Sequence, residues 1–206
     1  MANNFITFEG GEGSGKSTQA RLLAERLRGL GHEAVLTREP GGPPLAEKIR
    51  ALLLDEKPAS PEAEFLLFAA ARAEHLAVII EPALHRGAYV ICDRYIDSTR
   101  VYQSHLGKVA MHFIRSVEDA TISGFIPALT LVLDVSSNVG IGRATTRGNL
   151  NRFDAREHDW HRDVCAAFRA VALAEPARCA LIDGNRDPAT VESEIWRTVQ
   201  QRLKLP

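Results

Sequence analysis

Lys16 and Ser17 follow a glycine-rich run, Gly10-Gly11-Glu12-Gly13-Ser14-Gly15, and Thr18 closes the stretch. A glycine, four intervening residues and then Gly-Lys-Ser is the spacing of a loop that wraps a phosphate chain. Glycine lets the backbone approach closely and turn several N–H groups inward. The helix that starts at the lysine adds its positive end. In such a loop Lys16 reaches the β and γ phosphates, and the Ser17 hydroxyl holds Mg²⁺. The implied ligand is a nucleoside triphosphate. Asp93, at the end of the apolar run Ala88-Tyr89-Val90-Ile91-Cys92, is the expected second Mg²⁺ partner. Further polar groups sit where apolar runs stop: Glu9, Arg38 and Arg94. Phe68 and Arg72 stand four apart on one helical face. A polar stretch, 97–105, carries Ser98, Thr99, Tyr102 and Gln103, and 143–154 spaces out Arg143, Arg147 and Arg152.

The elements that must hold these groups alternate. Strands are expected at 5–8, 34–37, 88–92, 129–133 and 179–182. Helices are expected at 17–30, 45–54, 97–105, 109–123 and 156–174, and from Asp187-Pro188 onward. Leu22, Leu23, Ala24 and Leu27 supply an apolar helical face. Ser60 is read as the cap of a helix reaching Ile80, with Pro82 marking its end, and Ser137 as the cap of one reaching Ala144. Residues 38–44, Arg-Glu-Pro-Gly-Gly-Pro-Pro, continue neither helix nor sheet, and 55–58 reads as a turn. The alternation predicts an α/β fold, an open five-stranded parallel sheet with helices on both faces. Ligands of such sheets sit at the carboxyl ends of the strands.

Composition narrows the class. The 206 residues suit one domain over 1–206 with a sizeable core. A formal net charge of −1 gives no reason to expect a nucleic acid polymer as partner. Arginine makes up 20 of the 25 basic residues, and arginine suits bidentate phosphate contacts. The three cysteines show no close pair and no metal spacing, and read as reduced thiols. Without a long apolar span or a targeting signal, the expectation is a cytoplasmic chain with no membrane partner.

Taken in order along nearly the whole chain, these motifs resemble bacterial thymidylate kinase. They are residues 5–18, then Arg38-Glu39-Pro40-Gly41-Gly42, then Leu67 to His75 with Phe68 and Arg72. Asp93-Arg94-Tyr95 with Ser98 follows, then Val101-Tyr102-Gln103, Leu129 to Asp134 and the arginines of 143–154. The resemblance implies a P-loop nucleoside triphosphate hydrolase-like fold and transfer of phosphate from ATP to dTMP with Mg²⁺, by a homodimer. It implies that Phe68 stacks on thymine and that Arg72 binds the base edge and helps with the monophosphate. Arg38 and Arg94 grip the acceptor phosphate, and Tyr102 lies beneath the deoxyribose. Ser98, Thr99 and Gln103 complete the nucleoside pocket, and Glu9 takes the acidic position beside the loop. At Gly11-Glu12-Gly13-Ser14, inside the loop, there is Glu12 and no basic residue. The resemblance is therefore to the type whose catalytic arginine comes from the lid, here Arg147 or Arg152. Ser104, Ala128, Asn151 and Asp154 depart from the family pattern and bear on lid closure and acceptor stringency. An acceptor other than dTMP on the same fold stays open at this point. A nucleotide-dependent switch would lack the cluster of Phe68, Arg72 and Arg94.

Overall fold

The computed structural model describes residues 4–55, 60–122, 124–148, 153 and 156–205. Strand β1 (Phe5–Glu9) leads through the glycine loop into α1 (Lys16–Gly29) and β2 (Ala34–Arg38). Helices α2 (Pro44–Asp55) and α3 (Pro61–His75) follow, then a π-helical turn (Leu76–Ile80) and α4 (Glu81–His85). Strand β3 (Tyr89–Asp93) is succeeded by α5 (Ile96–Thr99), a second π-helical stretch (Arg100–Leu106) and α6 (Met111–Thr121). Strand β4 (Leu129–Asp134), α7 (Ser137–Arg147), α8 (His158–Ala174), β5 (Cys179–Asp183) and α9 (Pro188–Leu203) complete the order.

Among the described residues the five strands form one parallel sheet in the order β2-β3-β1-β4-β5. Parallel strands covered on both faces must be apolar nearly throughout, and β1 and β4 are buried along almost their whole length. Alternation along β1 divides the core. Ile6 and Phe8 join Leu23, Leu27, Leu131, Ile195 and Val199 beneath α1 and α9. Phe5 joins Leu76, Ile80, Val90 and Tyr95 on the opposite face. Chain order reverses around β1, so the crevice beyond β1 and β3 is the natural ligand position. Register brings its polar groups level: Phe8 pairs with Asp93, and Arg38 pairs with Asp93 from the other side.

Two helix ends differ from expectation. Pro82 does not stop the helical path; it lies in the first turn of α4, which runs on to His85. A proline is tolerated where its missing N–H has no obligatory acceptor, and the widened π turn resets the register just before it. Helix α7 is preceded by Ser136, not Ser137, and runs to Arg147, where Gly148 in the left-handed region ends it. Ser60 and Asp187 do cap α3 and α9, accepting from Ala63 N and from Ala189 and Thr190 N. The three cysteines are free. Among the described residues no helix is long and apolar enough to cross a membrane.

Candidate active site

The glycine loop closes on its own lysine. Lys16 is buried, and its Nζ donates to Gly10 O at 3.0 Å, Gly11 O at 2.8 Å and Ser14 Oγ at 3.1 Å. Burial, and then the nearby Arg94 charge, lower its pKa to about 8. Ser17 Oγ donates to Asp93 Oδ2 at 2.5 Å, which brings together the two oxygens the sequence assigns to one cation. The loop is also wedged against α7. A Cβ on Gly13 would stand 2.0 Å from Gly140 O, and one on Gly140 would stand 2.6 Å from Glu12 O. Only glycine at both positions allows this approach.

Arg94 is a non-glycine residue with φ of 72°, a conformation with a steric cost that must be met locally. Its N–H donates to Phe8 O at 2.9 Å, and the next N–H, of Tyr95, donates to Glu9 Oε1 at 2.7 Å. Ser98 Oγ donates to Glu9 Oε2 at 2.6 Å. Glu9 is fully buried beneath this turn and does not line the cleft. Burial, and then the neighbouring Asp97, raise its pKa to about 8. The turn aims the Arg94 guanidinium at Glu12, both of whose oxygens accept from Nη2 at 2.9 Å. Burial pushes Glu12 up, but Arg94, then Lys16 and the Tyr102 hydroxyl outweigh it, and its pKa falls to about 2. Tyr102 donates to Glu12 Oε1 at 3.0 Å, and Arg94 lies 5.2 Å over its ring.

A cleft of about 620 Å³ joins these groups to the other half of the site. Its walls include the loop residues 12–18, Arg38, Phe68, Arg72, Asp93, Arg94, Ser98, Thr99, Tyr102 and Gln103. Phe68 and Arg72 come from one face of α3, as their spacing predicts. Arg72 is buried, with Nε donating to Glu39 Oε2 at 2.7 Å and Nη2 to Tyr95 O at 3.1 Å and Thr99 Oγ1 at 3.0 Å. Arg38 is more exposed and donates to Glu47 at 3.0 and 3.1 Å. Gln103 Nε2 donates to Glu64 Oε1 at 3.3 Å. Of the spaced arginines, Arg143 lines this cleft and donates to Gly184 O at 2.9 Å. Arg152, Asn151 and Asp154 lie outside the described residues, as does the side chain of Arg147. A second cavity of about 400 Å³ opens on the other side of the loop, between Gly15, Thr18, Arg143 and Asn185.

Sequence reasoning did not single out several groups here. Arg50 lines the cleft and donates to Pro40 O at 2.7 Å. Glu39 is buried beside Arg72 at the cleft wall, and His75 is fully buried next to it. Phe153 lies 5.7 Å from the Tyr102 ring and stacks on Trp160. His75 carried a signal, being three residues beyond Arg72 and so on the same helical face. Gly140 carried none. Anion-binding N–H groups and a lysine on one side, with guanidinium groups beside an aromatic on the other, suit transfer between two phosphate-bearing molecules.

Comparison with known proteins agrees with this geometry. A family model, Thymidylate kinase, matches residues 8–195. The chain is 52% identical over 204 residues to a thymidylate kinase of Afipia carboxidovorans, covering 97% of this chain and 90% of that one. It is 48% identical over 204 residues to a thymidylate kinase of Bradyrhizobium diazoefficiens, with the same coverage. The fold is similar to the crystal structure of a thymidylate kinase from Ehrlichia chaffeensis, with a TM-score of 0.79 and 34% identity, covering 95% of this chain and 98% of that one.

Proposed function

The chain belongs to the thymidylate kinase family, whose reaction converts dTMP to dTDP, and we propose that it performs this reaction with ATP and Mg²⁺ in the cleft described above. The observation that carries the reading is that Lys16 and Ser17 share one cavity with Phe68, Arg72 and Arg94. Donor phosphates belong on the glycine loop, with the ATP nucleoside toward the second cavity. The acceptor base belongs against Phe68 and Arg72, and its phosphate against Arg38, Arg94 and Arg50.

An acceptor phosphate oxygen attacks the γ-phosphorus in line as the bond to the β-γ bridging oxygen breaks. That nucleophile is already ionised, so positioning and charge neutralisation are the protein's tasks. Lys16 leaves its carbonyl partners for the β and γ oxygens. Arg94 exchanges part of its pairing with Glu12 for the acceptor phosphate. Ser17 and Asp93 form an oxygen-only pair, the donor type a hard cation takes alongside water and phosphate oxygens. These two would hold Mg²⁺, which when bound neutralises charge across the β and γ phosphates. Lid closure over 143–154, with Arg147 or Arg152 meeting the transferring group, supplies the remaining positive charge and excludes water. Phe153 against Tyr102 ties that segment to the acceptor pocket. We place the protein in the cytoplasm, as a homodimer.

Measurement of kcat/KM across nucleoside monophosphates at saturating ATP tests the reading. The expected order is dTMP first, dUMP weaker, and dCMP, dGMP and UMP poor. Stacking on Phe68 tolerates any base, so Phe68→Ala should weaken every acceptor. Arg72 only donates. It satisfies the thymine O4 carbonyl but meets the cytosine amino group donor to donor, so Arg72→Ala should narrow the lead over dCMP. Alanine at Arg143, Arg147 and Arg152 together should lower kcat more than dTMP affinity. An unmutated protein that prefers dCMP or a purine monophosphate refutes the assignment.

A further inference from the structure

Arg72 does not face the cleft unsupported. Three of its five N–H groups are committed: Nε to Glu39, and Nη2 to Tyr95 O and Thr99 Oγ1. The guanidinium also lies 5.1 Å over the Tyr95 ring. Among the described residues Nη1 has no hydrogen-bond partner, and it is the edge left for a ligand. Behind Glu39 the chain of contacts continues. His75 Nδ1 lies 3.1 Å from Glu39 Oε1, and His75 Nε2 lies 2.6 Å from Thr37 Oγ1. A carboxylate accepts, so Nδ1 donates to Glu39, and Nε2 shares a hydrogen bond with the Thr37 hydroxyl. His75 is fully buried, and the loop closes over it. A Cβ on Gly42 would stand 2.9 Å from His75 Cδ2, where only glycine fits at a φ of 96°.

We propose that Glu39 and His75 are positioning residues that set base selectivity, with Thr37 as their outer anchor. This rests on the acceptor reading above. Two fixed bonds on one side of the guanidinium and a carboxylate on the other hold its plane, so Nη1 meets the base in one orientation. An arginine free to rotate could withdraw from a cytosine amino group and bind elsewhere. A clamped one presents a donor to every base that enters, and only a carbonyl at that position satisfies it. The clamp works through Arg72: Glu39 reaches the cleft wall with its oxygens turned to Arg72 and His75, and Thr37 and His75 lie outside the lining.

The test is steady-state kinetics with dTMP and dCMP on the full chain, with thermal melting as a check on folding. Glu39→Gln keeps the shape but turns one acceptor into a donor facing Arg72 or His75. It should raise KM for dTMP about tenfold and lower the dTMP-over-dCMP ratio of kcat/KM about tenfold. Its kcat and its KM for ATP should stay within about twofold, because base contacts are made equally in the ground and transition states. If Glu39→Gln does not fold, Thr37→Val and Thr37→Ser decide. Valine removes the hydroxyl and should reduce the ratio about threefold, and serine restores it. An unmutated protein with no preference for dTMP overturns the acceptor assignment and this proposal together. A wild-type preference that survives unchanged in folded Glu39→Gln, or in Thr37→Val where the former does not fold, overturns the proposal alone.

Discussion

Lys16 shows how one residue type is prepared for an anion. Burial, and then the nearby Arg94, disfavour its ammonium more than Glu12, Asp93 and Glu9 favour it, and its pKa drops to about 8. Between about 8 and 10.5 the unfolded chain binds more protons than the folded one, so the Lys16 contribution to stability rises with pH across that window. A triphosphate reverses the balance by bringing opposite charge, which favours the charged ammonium. ATP binding at about pH 8.5 should therefore be accompanied by proton uptake, and affinity should fall as pH rises through 8. Calorimetry in two buffers of different ionisation enthalpy reads the uptake directly. Equal heats in both would contradict this account of Lys16. Glu9 behaves with the opposite sign. Its raised pKa makes its contribution fall as pH rises from 4.5 to about 8.

Among the elements, the contact between the glycine loop and α7 stands out because it is backbone on backbone. Gly13 and Gly140 each leave no room for a Cβ, and neither Glu12 O nor Gly140 O can turn away as a side chain can. Helix α7 also carries Arg143, which borders both cavities. Gly140→Ala should shift α7 from the loop and lower kcat/KM for ATP about tenfold, since small misplacements of phosphate-binding groups are costly. The melting temperature should change little. Kinetics at varied ATP check this, and an unchanged kcat/KM would show that the helix yields without moving the loop.

For the molecule as a whole, the proposed homodimer has apolar surface to account for. Leu45 and Leu52 are about half exposed, seven residues apart on one face of α2, and Leu66 is similarly exposed on the adjoining α3. Covering them with a second copy would remove that surface from water. Sedimentation velocity should give twice the chain mass, and Leu52→Glu with Leu66→Glu should return it to the monomer. A monomer in the unmutated protein rejects the homodimer. Monomeric double variants of a dimeric wild type reject nothing further, whereas dimeric ones move the interface elsewhere.

Local demands were legible in the amino-acid sequence. The phosphate loop was readable because a backbone wrapped that tightly writes its need for glycine directly into residues 10–15. The central strands were readable because burial on both faces makes them short apolar runs, and most helices because burial imposes a period of 3.6 residues, the reason Phe68 and Arg72 shared a face. Strand-end placement also held for Arg38, Asp93 and Arg94, since a parallel sheet delivers its polar groups at one edge. Other features depended on which elements meet. The π turns replaced plain helix around Pro82 and around Tyr102, a change of register with no composition of its own. Arg72 pairs with a carboxylate 33 residues away and Arg94 with one 82 residues away. A single sequence rich in both charges does not say which partners meet. Only the tertiary structure chose Glu39 and Glu12, because such pairing is decided by burial and distance after the sheet has assembled.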